Sequence, residues 1–186
     1  MELVKIPRER VAVLIGKKGE TKRLIEKNTN TRLTIDKEGG VVINGESVDV
    51  FEANSVVKAV GRGFNPNTAL TLLNEENCIE IINIKDFTGK SDKKFFRIKS
   101  RLIGTQGKAR KVIEAMTNTE VSIYGKTIAI IGKIENVDVA KRGTEILLRG
   151  APHGNAYKYI EREMLKLKDE PFPEHLLKKP KDNSKE

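Results

Sequence analysis

"LIGKKGETKRLIEKNTNTRLTI" (residues 14–35) and "LIGTQGKARKVIEAMTNTEVSI" (residues 102–123) align without a gap at an offset of 88. Leu14, Ile15, Gly16, Gly19, Ile25, Glu26, Thr29, Asn30, Thr31 and Ile35 recur as Leu102, Ile103, Gly104, Gly107, Ile113, Glu114, Thr117, Asn118, Thr119 and Ile123. Lys22 and Arg23 return as Arg110 and Lys111, so the charge is kept. A period this long marks a duplicated domain, because solenoid units are shorter.

Outward from the repeat, each unit reads as β-α-α-β-β-α, an α+β fold. "LVKI" (3–6) and "FFRI" (95–98) are short strand candidates. Apolar segments, "ERVAVLIG" and "KSRLIG", lead into the glycine pairs. A helix follows each pair, over 20–28 and 108–116, with Leu24/Ile25 and Val112/Ile113 turned inward. "TRLTI" and "EVSI" alternate as half-buried strands, and "VVING" (41–45) and "TIAIIG" (127–132) are strands stopped by glycine. Longer amphipathic helices close the units at 48–60 and 137–149; Ala53, Val56, Val57 and Val60 make an apolar stripe in the first.

The pattern divides the chain into four parts. The first domain runs over 1–73, including a helical extension at 65–73. A connecting segment over 74–90 holds a strand at 78–84 and the polar turn region "DFTGKSDKK" (86–94) begins within it. The second domain runs over 91–170 and ends in a helix at 154–170 with Tyr157, Ile160, Met164 and Leu167 on one face. Residues 171–186 read as a disordered polar tail. The connecting segment has its own strand pattern instead of a Gly/Ser tether, which predicts a fixed orientation between the units.

Composition narrows the partners. Among 186 residues, 35 Lys and Arg against 26 Asp and Glu give a net charge of +9, which favours a polyanion. One cysteine, Cys78, excludes an intrachain disulfide and is read as a buried small residue. Cys78 with His153 and His175 gives no zinc-ligand spacing. The N-terminal stretch mixes charge into its apolar positions and does not read as a signal peptide. No run approaches the ~20 apolar residues of a membrane span.

The glycine pairs carry the chemistry. Glycine reaches positive φ and lets backbone approach closely. A helix that starts at the second glycine points its free N–H groups and positive dipole end at the same place. A single strand could lay phosphates on Gly16-Lys17-Lys18-Gly19 and Gly104-Thr105-Gln106-Gly107. Lys22, Arg23, Lys108, Arg110 and Lys111 would add charge. Ile15, Ile35, Ile103 and Ile123 are expected in the core, with some of them also lining a groove for bases. A plain helix-turn-helix corner or a DNA-reading one are the alternatives; the strand after the second helix is foreign to the latter. "GKKGET" lacks the spacing of a phosphate-binding Walker loop, and no carboxylate cluster suggests a nuclease. With 5% aromatic residues, stacking platforms are less suited than an aliphatic groove. "RGAPHG", with Arg149, Gly150 and His153, reads as a helix-ending turn.

"IGKKGETKRLIE" and "IGTQGKARKVIE" resemble the signature of type I KH domains, whose GxxG loop clamps backbone across four nucleotides. The resemblance covers residues 1–153 and implies two tandem type I KH domains with C-terminal helical extensions. "AVGRGFNPNTALTLLNEENCIEIINIKDF" (59–87), "YGKTIAIIG" and "LLRGAPHGNAYKYIER" narrow it further. They resemble the archaeal-type tandem KH proteins akin to the eukaryotic small-subunit assembly factors that partner the endonuclease maturing the rRNA 3′ end. The resemblance implies a non-enzymatic ribosome biogenesis factor that binds single-stranded small-subunit rRNA near its 3′ end. It implies contacts to that endonuclease or to an rRNA modification enzyme. A cytoplasmic monomer with no cofactor, metal or membrane is expected. A protein-docking scaffold with incidental RNA contact, or an mRNA- or exosome-linked KH protein, are the alternatives. The first loop departs from the eukaryotic relatives by being intact and basic, and the second lacks a basic residue at its centre.

Overall fold

A computed structural model describes residues 1–169; the tail read at 171–186 lies outside the described residues. The first unit is β1 (Glu2–Lys5), α1 (Arg8–Ile15), α2 (Glu20–Thr29), β2 (Arg32–Ile35), β3 (Gly40–Asn44) and α3 (Ser47–Gly61). Its antiparallel sheet has the order β1-β3-β2, with Leu3 and Thr34 both opposite Val42. The short helix α4 (Pro66–Leu70) extends it, with Asn65 capping the start and Pro66 in the first turn, and a 3-10 turn (Thr71–Leu73) follows. The second unit repeats the order with one added helix, α5: β4 (Asn77–Asn83), α5 (Lys85–Thr88), α6 (Asp92–Ile103), α7 (Lys108–Thr117), β5 (Glu120–Tyr124), β6 (Thr127–Lys133) and α8 (Ile134–Leu148). Its sheet runs β4-β6-β5, again antiparallel, and α9 (His153–Asp169) lies on α8. These are two type I KH folds.

Two expectations change. "FFRI" (95–98) is not a strand but part of α6. Phe95, Ile98 and Leu102 fall at helical spacing and are buried together, whereas Phe96 is 64% exposed, and the Ser91 hydroxyl caps the helix by accepting from the Lys94 N–H. The strand of the second unit is instead the stretch expected to connect the units. β4 pairs with β6 along its whole length, from Asn77 opposite Lys133 to Asn83 opposite Thr127. The polar turn region at 86–94 holds most of α5 and the first turn of α6.

The central strand of the second sheet, β6, is buried on both faces. Along β6, Ile128 and Ile130 enter the core of the second unit, while Ala129 and Ile131 enter the core of the first. The period-2 alternation of a strand thus serves two cores at once. Polar contacts fix the junction: the Ser122 hydroxyl donates to the Arg62 carbonyl at 2.8 Å, and the Tyr124 hydroxyl donates to the Glu9 carboxylate. That bond to Glu9 pushes the Tyr124 pKa above the ordinary phenol value, since the phenolate would face a carboxylate. Arg10 donates to the Val60 and Phe64 carbonyls at 2.8 and 2.6 Å and lies over the Tyr124 ring. The orientation of the two units is therefore set by a shared apolar layer and not by a tether.

Candidate nucleic-acid interface

The two glycine loops have the same backbone. Gly16 and Gly104 sit at φ 73° and 72° with extended ψ, a region that is essentially glycine's alone. A Cβ on Gly16 would lie 2.3 Å from Thr21 Oγ1 and 2.7 Å from the Thr21 nitrogen. On Gly104 it would lie 2.7 Å from the Ala109 nitrogen and Cβ. The first glycine of each loop thus lets the loop close onto the following helix. The second is different: around a Cβ on Gly107 there is open space to 4 Å. Gly19 and Gly107 are left-handed N-caps, at φ 79° and 76°, with no side chain satisfying the first-turn N–H groups of α2 and α7. Lys18 and Gln106 are also left-handed, at φ 51° and 53°, a conformation uncommon outside glycine and concentrated at binding sites. Each loop therefore presents open backbone and a positive helix end to the same point.

The cations around this point divide into held and free. Lys22 lies 3.7 Å from Glu26, and Arg110 lies 3.6 Å from Glu114. Among the described residues, Lys17, Lys18, Arg23, Lys108 and Lys111 have no carboxylate within ion-pair distance. Thr105 and Gln106 are exposed and uncharged. The second loop moves its charge one step along, because Lys108 stands where the first unit has Glu20.

Ile15, Ile35, Ile103 and Ile123 are half-buried; Ile35 packs against the first core and Ile123 against the second, whereas Ile15 and Ile103, also expected in the core, belong to neither cluster. Leu24 was expected inside but is 39% exposed; Ile25 alone takes the inward position of α2, and Val112 is likewise only half-buried beside the buried Ile113. Adjacent helix positions lie ~100° apart, so both cannot face one narrow core.

The rest of the repeated motif is structural. Glu26 Oε1 accepts from the Leu33 N–H at 2.8 Å, and Glu114 Oε1 accepts from the Val121 N–H at 2.9 Å. Thr29 and Thr117 donate to the carbonyls four residues back and are each 2.8 Å from the hydroxyl of Thr31 or Thr119. Asn30 and Asn118 end the helices in the left-handed region. Thr117→Val should cost about 1–2 kcal/mol, because the buried Thr119 hydroxyl loses its partner; chemical denaturation measures it, and the RNA affinity of the folded protein should not move.

"RGAPHG" is a helix-ending turn. Arg101 donates to the Gly150 and Ala151 carbonyls at 3.1 and 2.6 Å, and His153 Nε2 is 3.0 Å from the Arg101 carbonyl. Cys78 is half-buried and not fully enclosed; burial raises its thiol pKa. Among the described residues no cluster of His, Cys, Asp or Glu could hold a metal, and no helix is long and apolar enough to cross a membrane. Sequence reading missed Glu9, Arg10 and Tyr124, which join the helix leading into the first loop to the edge strand of the second unit.

Comparison with known proteins agrees with the fold. The family model described as "KH domain" matches residues 1–59, and that described as "Eukaryotic type KH-domain (KH-domain type I)" matches residues 78–165. A KH domain-containing protein of Methanocaldococcus jannaschii is 47% identical over 173 residues, covering 90% of this chain and 76% of that protein. The pre-rRNA-processing protein PNO1 of Coccidioides immitis is 28% identical over 114 residues, covering 61% of this chain; the chain spans 45% of that protein's length. A chain of the a/eIF2alpha-aDim2p-rRNA complex from Pyrococcus horikoshii superposes with a TM-score of 0.82 at 46% identity, covering 89% of this chain and 94% of that one.

Proposed function

Since this chain belongs to the PNO1/Dim2 family of KH-domain proteins, we propose that it is a ribosome biogenesis factor that binds small-subunit rRNA near its 3′ end as a single strand. The two GxxG loops hold the RNA backbone, through Gly16–Gly19 with Lys22 and Arg23, and through Gly104–Gly107 with Lys108, Arg110 and Lys111. Ile15, Ile35, Ile103 and Ile123 offer aliphatic walls to the bases. The observation that carries this reading is the matched pair of loops, each left-handed and set on an uncapped helix start, with open space beside Gly107 and only the Arg23 guanidinium, at 3.4 Å from a Cβ, beside Gly19. The protein acts without catalysis, as a monomer in the cytoplasm, and positions the rRNA for a processing endonuclease or a modification enzyme. The first unit is residues 1–73 with its extension, and the second takes in β4 as its own first strand.

Charge gives a direct test. Five free cations beside the loops would neutralise about five phosphates, so log K against log salt should have a slope of roughly −3 to −4 for a single strand. Fluorescence anisotropy with a labelled rRNA 3′ segment between low and physiological salt measures it. A slope near zero would show that these cations serve something other than RNA.

A further inference from the structure

The chain carries 35 Lys and Arg, yet residues 38–57 and 63–84 contain neither. Those two stretches meet in the fold. α3 and the segment running from the 3-10 turn into β4 enclose a groove of about 410 Å³. Val48 and Phe51 form one wall, and Leu72, Leu73 and Ile79 form the other. Val48 is 70% exposed and Phe51 71%, on the solvent side of a helix whose Ala53, Val56, Val57 and Val60 are fully buried. Single exposed apolar side chains are ordinary, but two on one helix facing a wall of leucines make a continuous apolar site.

The rim of the groove is acidic. Glu52 on α3 and Glu75 just before β4 line it, and Glu46, Asp49 and Glu76 lie near them in the chain. Lys133 occupies Glu76 at 2.9 Å, and Asp49 accepts from the Asn30 amide at 3.1 Å. Among the described residues no cation pairs with Glu46, Glu52 or Glu75. A negative rim on a chain of net charge +9 repels a phosphate backbone and selects a basic partner. The Asn30–Asp49 bond also fixes its place: it lies at the far end of α2 from the glycine loop, about 15 Å along the ten-residue helix. The groove is thus set apart from the first loop.

We propose that this groove docks a basic amphipathic helix of a partner protein. Apolar side chains at i, i+3 or i+4 and i+7 lie on Phe51, Val48 and Leu73, and flanking Lys or Arg meet Glu52 and Glu75. The inference does not depend on the RNA reading.

The test uses the full chain and a labelled helical peptide of Leu and Lys patterned at helix spacing, with its Leu/Glu counterpart as control. The Leu/Lys peptide should bind at least tenfold more tightly than the control. Phe51→Ser should lose at least tenfold of that binding while RNA affinity stays within twofold. Glu52→Lys with Glu75→Lys should reverse the preference between the peptides. Equal binding of both peptides, or unchanged binding in Phe51→Ser, overturns the proposal. Three further results also overturn it: equally tight binding by a peptide of residues 170–186, which assigns the groove to the chain's own terminus; a dimer that dissociates in Phe51→Ser; or displacement of the peptide by RNA.

Discussion

Gly104→Ala should destabilise the protein by about 3 kcal/mol, whereas Gly107→Ala should cost only about 1 kcal/mol. Both glycines have positive φ, so each substitution meets backbone strain. Only at Gly104 does the new methyl also run into the Ala109 backbone and side chain, while Gly107 faces open space. Gly16→Ala should behave like Gly104→Ala, because Thr21 stands in the same place as Ala109. Urea unfolding of the three variants measures the contrast. Equal losses at Gly104 and Gly107 would mean that the second glycine is packed and not presented to a ligand.

That contrast makes Gly107 the cleaner probe of binding. Gly107→Asp places a carboxylate where the phosphate should lie, and the paired change Lys17→Gly with Lys18→Asp does so in the first loop. Each should lower RNA affinity at least tenfold, on the order of 1.4 kcal/mol, with helicity near that of the wild type. Lys18 already has the left-handed backbone that Asp tolerates, so the first-loop change adds little strain. With the units locked by the shared sheet, one RNA spanning both loops should lose about 100-fold when all three changes are combined, because separated sites add. A combined loss no larger than either alone would mean that the loops do not hold one strand together.

Most of the fold was legible because the repeat fixes it. The gap-free offset places both glycine loops, both following helices and both β2-type strands in matching positions. The same offset misled upstream of the loop. In the first unit only Ile6 and Pro7 separate β1 from α1, but the second unit inserts α5 and lengthens α6. The strand is thereby pushed back to Asn77–Asn83, and the phenylalanines at 95 and 96 occupy a helix. "TIAIIG" did hold the sign that β6 is covered on both faces, since Ile128 to Ile131 leave no polar position between them. What covers its second face was not readable. Glu9 and Tyr124 are 115 residues apart, and no local pattern links them. The candidate site was legible at the glycines, whose backbone is as expected, and less so among the cations. Lys22 and Arg110 differ from Arg23 and Lys111 by having a glutamate four residues on, a helical spacing that the charge count alone passes over.

The loops differ in a way that predicts different work. Lys17 and Lys18 offer the first loop charge that any strand can use, whereas Thr105 and Gln106 are uncharged, so a larger share of the second unit's binding should come from base contacts in its groove, which carry sequence. A groove of one KH unit holds about four nucleotides, so two units in fixed orientation should read about eight to twelve. Titration of wild-type protein with rRNA 3′ segments of about four, eight and twelve nucleotides tests this joint grip most directly. Affinity should climb steeply from the shortest to the longest, with Gly107→Asp losing discrimination among sequences and the Lys17/Lys18 variant losing affinity for all of them. Affinity that stops rising at the shortest RNA would contradict the account.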